Sequence, residues 1–172
     1  MRPILDRSRS FLLLLAFAIA PFAGAASAQA PCGGTISGDV AVVSVTTGGT
    51  QTLTLGVPAA EARTSWHLLG SFAGTAPGSP FLSSAQLFLN EDRYFYSLVT
   101  GTSRLVQGGA PSVYGPMVPF NAQGQATLQV VVPPIVLSHL VGRTVHHGYY
   151  RFNPLTLLPE CGSATVALTF GP

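Results

Sequence analysis

The sequence contains no lysine, and only 8% of its 172 residues are charged. Its formal net charge of +2 comes from the first thirty residues, where Arg2, Arg7 and Arg9 outnumber Asp6. From residue 29 onward, five arginines (Arg63, Arg93, Arg104, Arg143, Arg151) balance five acids (Asp39, Glu61, Glu91, Asp92, Glu160). Such a chain has no basic stripe with which to hold nucleic acid and no cationic face for an anionic membrane surface. The glycine-rich stretch at 70–78 is no phosphate cradle, because it lacks both a following helix and a lysine. A near-neutral surface favours association over repulsion, so self-association or a partner is expected. Beyond the N-terminus no apolar run is long enough to cross a membrane, and no membrane insertion is expected once the leader is removed.

The leader is readable in residues 1–28. Three arginines precede the apolar run Phe11–Ala20, and Ala26-Ser27-Ala28 is a small-x-small cleavage site. Ala28-Gln29-Ala30 has the same form but would leave Pro31 at the new N-terminus, so the cut is expected after Ala28. Cleavage leaves 144 residues, enough for one domain with its own core over 29–172. The product is expected to be extracellular or periplasmic. Two cysteines, Cys32 and Cys161, lie near opposite ends of that domain. Export puts them where disulfides persist, and no CxxC spacing suggests a metal or redox pair. A bridge closing so long a loop is worth roughly 4–5 kcal/mol in the chain-entropy model.

What the chain has in plenty is Gly, Pro, Thr, Val and Leu, in short apolar runs punctuated by turn residues. That is the pattern of an all-β protein. Strands are expected at 36–45, 51–57, 65–69, 125–132, 143–152 and 164–170. The alternation is cleanest at Leu53, Leu55 and Val57 and at Leu128, Val130 and Val132. Residues 85–89 and 94–100 read as a hairpin joined by Asn90–Arg93. Residues 70–80 read as loop, 101–119 as mostly irregular with room for one edge strand, 135–140 as a short helical turn and 153–159 as loop. About seven or eight strands at these spacings make an antiparallel β-sandwich. Tyr149, following the Leu140–Gly142 connector, is placed like a tyrosine corner, which points to an immunoglobulin- or fibronectin-III-like topology.

Four segments occur in order: LLGSFAGTAPG at 68–78, FNAQGQATLQVVVP at 120–133, LVGRTVHHGYY at 140–150 and GSATVALTF at 162–170. Together they resemble a β-sandwich domain that recurs in secreted bacterial proteins, often as the C-terminal part of larger extracellular chains. The resemblance spans 35–171 and implies export and a sandwich, but no particular activity. The chain departs from the pattern at Tyr149-Tyr150-Arg151-Phe152, where the family has a longer aliphatic strand.

Three groups of residues are candidates for chemistry. His146 and His147 are adjacent on a strand and point to opposite faces, so only one of them can join His67 in a metal site, with His139 as a further donor. The alternative is one half-buried histidine bonded to backbone and one on the surface. Asn90-Glu91-Asp92 offers calcium-type oxygens, but a tight turn needs the same side chains for its own backbone bonds. Tyr94, Tyr96 and Tyr150 are candidates for a ligand-binding or glycan-binding patch, if alternation turns them outward. Ser65 lies two residues from His67, yet no GxSxG elbow or third triad member accompanies it. The sequence therefore leads to an exported, non-catalytic β-sandwich without a cofactor, a binding or structural module whose partner is an extracellular protein or a glycan. The alternatives are a carbohydrate-binding module and a metal-dependent protein using His67 with His146 or His147.

Overall fold

The computed structural model of the chain describes residues 33–134, 138–153, 155–156 and 158–172. The expected leader and Cys32 lie outside the described residues, as does the start of the helical turn expected at 135–140; its end is a 3-10 turn at Ser138–Leu140. Nine strands among the described residues form two packed sheets. In the first sheet β1 (Thr35–Gly38), β3 (Gly49–Gly56), β6 (Gln125–Val132) and β5 (Val106–Gln107) lie side by side in that order, all antiparallel. In the second the order is β2 (Val42–Ser44), β9 (Val166–Gly171), β7 (Thr144–Asn153), β4 (Trp66–Ser71). An additional strand, β8 (Leu158–Gly162), pairs with β7 on the same side as β9. The expected sandwich is therefore the observed architecture, with one departure from antiparallel pairing: β2 runs parallel to β9.

The single strand expected at 36–45 is two strands in different sheets. The break is held by β3. Asp39 exchanges bonds with Thr52, its amide donating to the Thr52 carbonyl at 3.1 Å and its Oδ1 accepting from the Thr52 amide at 2.7 Å. The wholly buried Gln51 then reaches across the core, and its Nε2 donates to the Val40 carbonyl at 2.6 Å and to the Ala167 carbonyl at 3.3 Å. A buried amide side chain supplies the bonds that the backbone loses where it changes sheets.

The two sheets differ in how they meet water. Along β6, Ala126, Leu128, Val130 and Val132 are buried while Gln125, Thr127 and Gln129 are exposed, as period-2 alternation requires. All six residues of β4 are buried, and β7 has no exposed residue. Residues directly opposite across a strand pair share a face. Trp66, Leu68 and Gly70 therefore share the inner face with Arg151, Tyr149 and His147, and His67, Leu69 and Ser71 share the outer face with Tyr150, Gly148 and His146. Tyr149 marks the inside: its hydroxyl donates to Thr35 and Gly56 carbonyls of the opposite sheet at 3.0 and 2.5 Å, and its ring packs edge-on to Trp66. It sits mid-strand and ties sheet to sheet, rather than closing a corner at a strand's start.

The outer face is covered by the segment between β4 and β5, and here the expected hairpin is corrected. Residues 86–92 form no strand, and Arg93–Val99 is a helix, α1. The run Tyr-Phe-Tyr-Ser-Leu-Val fits both periods, but Asp92 decides between them, since its Oδ1 accepts from the Phe95 amide at 2.8 Å as a helix N-cap does. Tyr94, Phe95 and Leu98 then fall on one buried face. Two glycines inside strands let this segment approach from both sides of the sheet. On the outer face a Cβ on Gly148 would stand 2.5 Å from Leu87, and on the inner face one on Gly70 would stand 2.6 Å from the Tyr94 ring. The open edge of β4 is occupied by residues 115–118, where Leu68 donates to the Pro116 carbonyl and Val118 to that of Trp66. A chain without lysine thus protects this edge with backbone rather than charge.

Asp92 also anchors the cover, because its Oδ2 accepts from the amides of Phe72 and Ala73 at 2.6 and 2.9 Å and from the Ser71 hydroxyl at 3.2 Å. Asp92→Ala removes the cap and these anchors together. It is expected to lower stability by roughly 2–4 kcal/mol, read by urea unfolding, with Asp92→Asn losing less because it keeps an acceptor for the cap. Equal losses in the two variants would contradict the capping role.

Candidate functional site

His67 converges with neither His146 nor His147, the two histidines of which one is expected to join it at a metal. His67 pairs with Tyr150 and His146 with Ser71, which places them four residues apart along β7, or roughly 13 Å at strand rise. His147 points to the opposite face. His139 is exposed on its 3-10 turn. No cluster of three or more His, Cys, Asp or Glu with metal-ligand geometry occurs among the described residues. Each inner-strand histidine has its own packing instead. His67 donates from Nδ1 to the Gly115 carbonyl at 3.2 Å and is ringed by Tyr114, Tyr150 and Phe152. His147 is fully buried, with Nε2 sharing a hydrogen bond of 2.9 Å with the Tyr94 hydroxyl. Burial lowers the basicity of both imidazoles. His147, further disfavoured by His146 beside it, falls to about 3.

The tyrosines divide in the same way. Tyr94 and Tyr150, expected to face outward, are buried at 9% and 1% exposure. Tyr94 is turned in by the helix, and Tyr150 lies under the loop cover, where its hydroxyl donates to the Tyr114 carbonyl at 3.0 Å. Burial raises the pKa of both phenols. Tyr96 alone of the three is exposed, at 51%. Asn90 and Asp92 hold backbone rather than offering oxygens to calcium. Asn90 Oδ1 accepts from the Gly78 amide at 2.8 Å, and its Nδ2 donates to the Ala73 and Ala76 carbonyls.

The surface concavities among the described residues include one of about 120 Å³ around Leu98, Val106 and Pro116 and two larger ones. The larger, about 440 Å³, is lined by residues including Arg63, Ser65, Arg151, Asn153 and Glu160. Its charges are largely matched within the protein: Arg151 pairs with Glu61 and, at 2.9 Å, with Glu160, which also accepts from Asn153. Ser65 opens onto this groove while His67 is buried under the outer cover, so the two form no dyad.

The smaller, about 300 Å³, lies on the cover and is lined by Phe81, Glu91, Phe95, Tyr96 and Val99. Phe81, Tyr96 and the neighbouring Phe88 are the exposed large aromatic side chains among the described residues, and all three come from the segment between β4 and β5. Glu91 stands in this cleft with its two carboxylate oxygens taken by the hydroxyls of Ser79 and Tyr96. Those two bonds hold its pKa below the ordinary carboxylate range. Sequence reasoning singled out Tyr96 and Glu91 but for other chemistry, and missed Ser79, Phe81 and Val99. The available signal was two phenylalanines, Phe81 and Phe88, in a stretch otherwise rich in glycine, proline and serine.

Neither a scan against models of known protein families nor a search of curated proteins gives a match to this chain.

The buried imidazoles make a prediction about acid. In the unfolded chain both protonate near pH 6.5, and in the folded chain both stay neutral to lower pH, His147 to about 3. Their contribution is fully present above pH 6.5 and is lost as the pH falls toward 3. Denaturant midpoints are therefore expected to fall between about pH 7 and about pH 5, above the range where carboxylates titrate. His147→Leu is expected to start from a lower midpoint and to fall less steeply. An unchanged slope in the variant would show that His147 does not hold this titration.

Proposed function

We propose that the chain is an exported, non-catalytic, immunoglobulin-like β-sandwich that binds a partner through the cleft on its 72–99 segment. The observation that carries this reading is the cleft itself, in which exposed Phe81 and Tyr96 flank a fixed carboxylate, while the other described aromatic rings, Phe88 apart, are buried or half-buried. Contiguous exposed aromatic surface of this kind is characteristic of interaction sites. The strand order supports the topology. β1-β3-β6-β5 and β9-β7-β4 follow the A-B-E-D and G-F-C orders of immunoglobulin sandwiches, and buried Trp66 on the C-equivalent strand packs against Tyr149 on the F-equivalent strand.

Export is supported by the leader features of residues 1–28 and by the resemblance to secreted bacterial domains. A Cys32–Cys161 bridge belongs to the same reading, with Cys161 buried at 4% on β8. The non-catalytic assignment is supported by how the titratable groups are engaged. Asp92 holds backbone, Glu61 and Glu160 hold Arg151, and the two buried histidines face opposite sides of one sheet. A glycan platform is less well supported, because two of its three expected tyrosines are inside.

The test is an array of peptides and glycans probed with oxidised 29–172 and with a Phe81→Ala/Tyr96→Ala variant of the same melting midpoint. At least one ligand class is expected to be retained by the parent and lost by the variant. Retention that survives the double substitution would move the site elsewhere, and retention of nothing by either protein would remove the binding reading.

A further inference from the structure

Among the described acids, Glu91 is bonded differently from the rest. Glu61 and Glu160 pair with Arg151, while Asp39 and Asp92 accept from backbone amides. Glu91 accepts only from two side-chain hydroxyls, and no cation lines its cleft. Its negative charge is therefore fixed in position without being neutralised. Hydroxyl donors orient a carboxylate but leave its net charge intact.

The walls reinforce that charge. Phe81 and Tyr96 present aromatic surface, and ring faces attract cations in the same sense as the carboxylate does. Phe95 and Val99 complete an apolar lining that strips water from whatever enters, which strengthens both attractions. A sugar would need several hydrogen-bonding groups around its hydroxyls, and the side chains lining this cleft offer only the Glu91 carboxylate and the Tyr96 hydroxyl. The cleft's volume of about 300 Å³ lies at the small end of ligand sites. It matches one long basic side chain better than an oligosaccharide. Phe88, 54% exposed and in contact with the position of Gly78 beside Ser79, extends the apolar surface past the cleft. A free amine would leave that extension unused.

We infer that the Phe81–Glu91–Tyr96 cleft receives an arginine or lysine side chain from an extended, otherwise apolar segment of a partner protein, with the cation between the rings and the Glu91 carboxylate. This deepens the binding reading above and rests on it. Glu91 is ionised at neutral pH as any glutamate without a shift would be, and the Ser79 and Tyr96 hydroxyls lower its pKa further, so the charge is available wherever an exported protein works. No described arginine lines the cleft and the chain has no lysine, so the partner's cation meets no competing charge within it.

The experiment is calorimetric titration of oxidised 29–172 with two capped peptides of one sequence, Leu-Phe-X-Leu-Gly, in which X is arginine or its neutral isostere citrulline. The arginine peptide is expected to bind about tenfold more tightly, as a single cation–π and carboxylate contact of about 1.4 kcal/mol would give. The preference is expected to shrink with added salt and to disappear in Glu91→Gln. Tyr96→Ala, at an exposed helix position, is expected to weaken both peptides, so a folding failure of one variant does not remove the test. Equal affinity for the two peptides with loss in Tyr96→Ala would overturn the cation inference while leaving the binding module standing. Binding of neither peptide would overturn it, and the array then decides separately whether any binding function remains. A concentration-dependent dimer in sedimentation that Glu91→Gln abolishes would replace the partner with a second copy and overturn it as well.

Discussion

In the sheet β2-β9-β7-β4 the two strands β4 and β7 are covered on both faces, and most of the remaining structure answers that condition. The inner face meets the other sheet through Trp66, Leu68 and Tyr149. The outer face carries His67, Leu69, Tyr150 and Phe152, all buried. Leaving such a face in water would forfeit roughly 1.5–3 kcal/mol for each large side chain. The long connection from β4 to β5 supplies the cover. Leu87 descends onto Gly148 and Gly162 and Phe81 packs on Tyr150, Tyr114 from the segment after β5 stacks on Phe152, and α1 carries Tyr94 to the inner side of the sheet against Gly70 and His147.

A loop used as a wall must be held as firmly as a strand. Here two polar residues do that. Asp92 gathers the amides at 72, 73 and 95, and Asn90 gathers the backbone at 73, 76 and 78. Both sit beside Glu91, which these bonds leave pointing to the surface. The cleft is thus a by-product of covering the sheet: the side chains that fix the wall from within place a carboxylate and three aromatic rings on its outside. A site built in this way is rigid by construction, which lowers the ordering cost of binding.

How far the sequence disclosed this depends on which surfaces face water. β3 and β6 were legible because one face of each is solvated, so Leu53 and Leu55, or Leu128 and Val130, alternate against Thr and Gln. β4 and β7 were legible as strands, but their side chains carry no sign of which face is outer when both are buried. For the same reason Tyr150 could not be told from a surface tyrosine. The segment 93–99 was misread because its apolar spacing satisfies either period, and the arbiter, Asp92 as N-cap, was read as a turn residue. β8 was missed because Pro159 and Cys161 carry little strand signal, although Pro159 tolerates an outer position in the pairing with β7. The histidine cluster failed on register: alternation separated His146 from His147, but only the β4–β7 pairing shows that His67 lies far from His146.

Scarcity of charge gives the surviving site its weight. A chain with five acids beyond residue 28 can hold its irregular segments only by committing most of them to structure. Asp39 fixes the change of sheet, Asp92 the helix and cover, and Glu61 with Glu160 the end of β7 through Arg151. In a protein rich in charge, one more carboxylate at the surface would be uninformative, since exposed ion pairs and solvated acids are common and contribute little. Among the described residues every other acid has a backbone amide or an arginine as its partner, and Glu91 is oriented by two hydroxyls into a cleft whose lining holds no arginine, in a chain that has no lysine. On the proposed reading the complementary charge comes from another molecule, and that links the composition of the sequence to the binding surface of the fold.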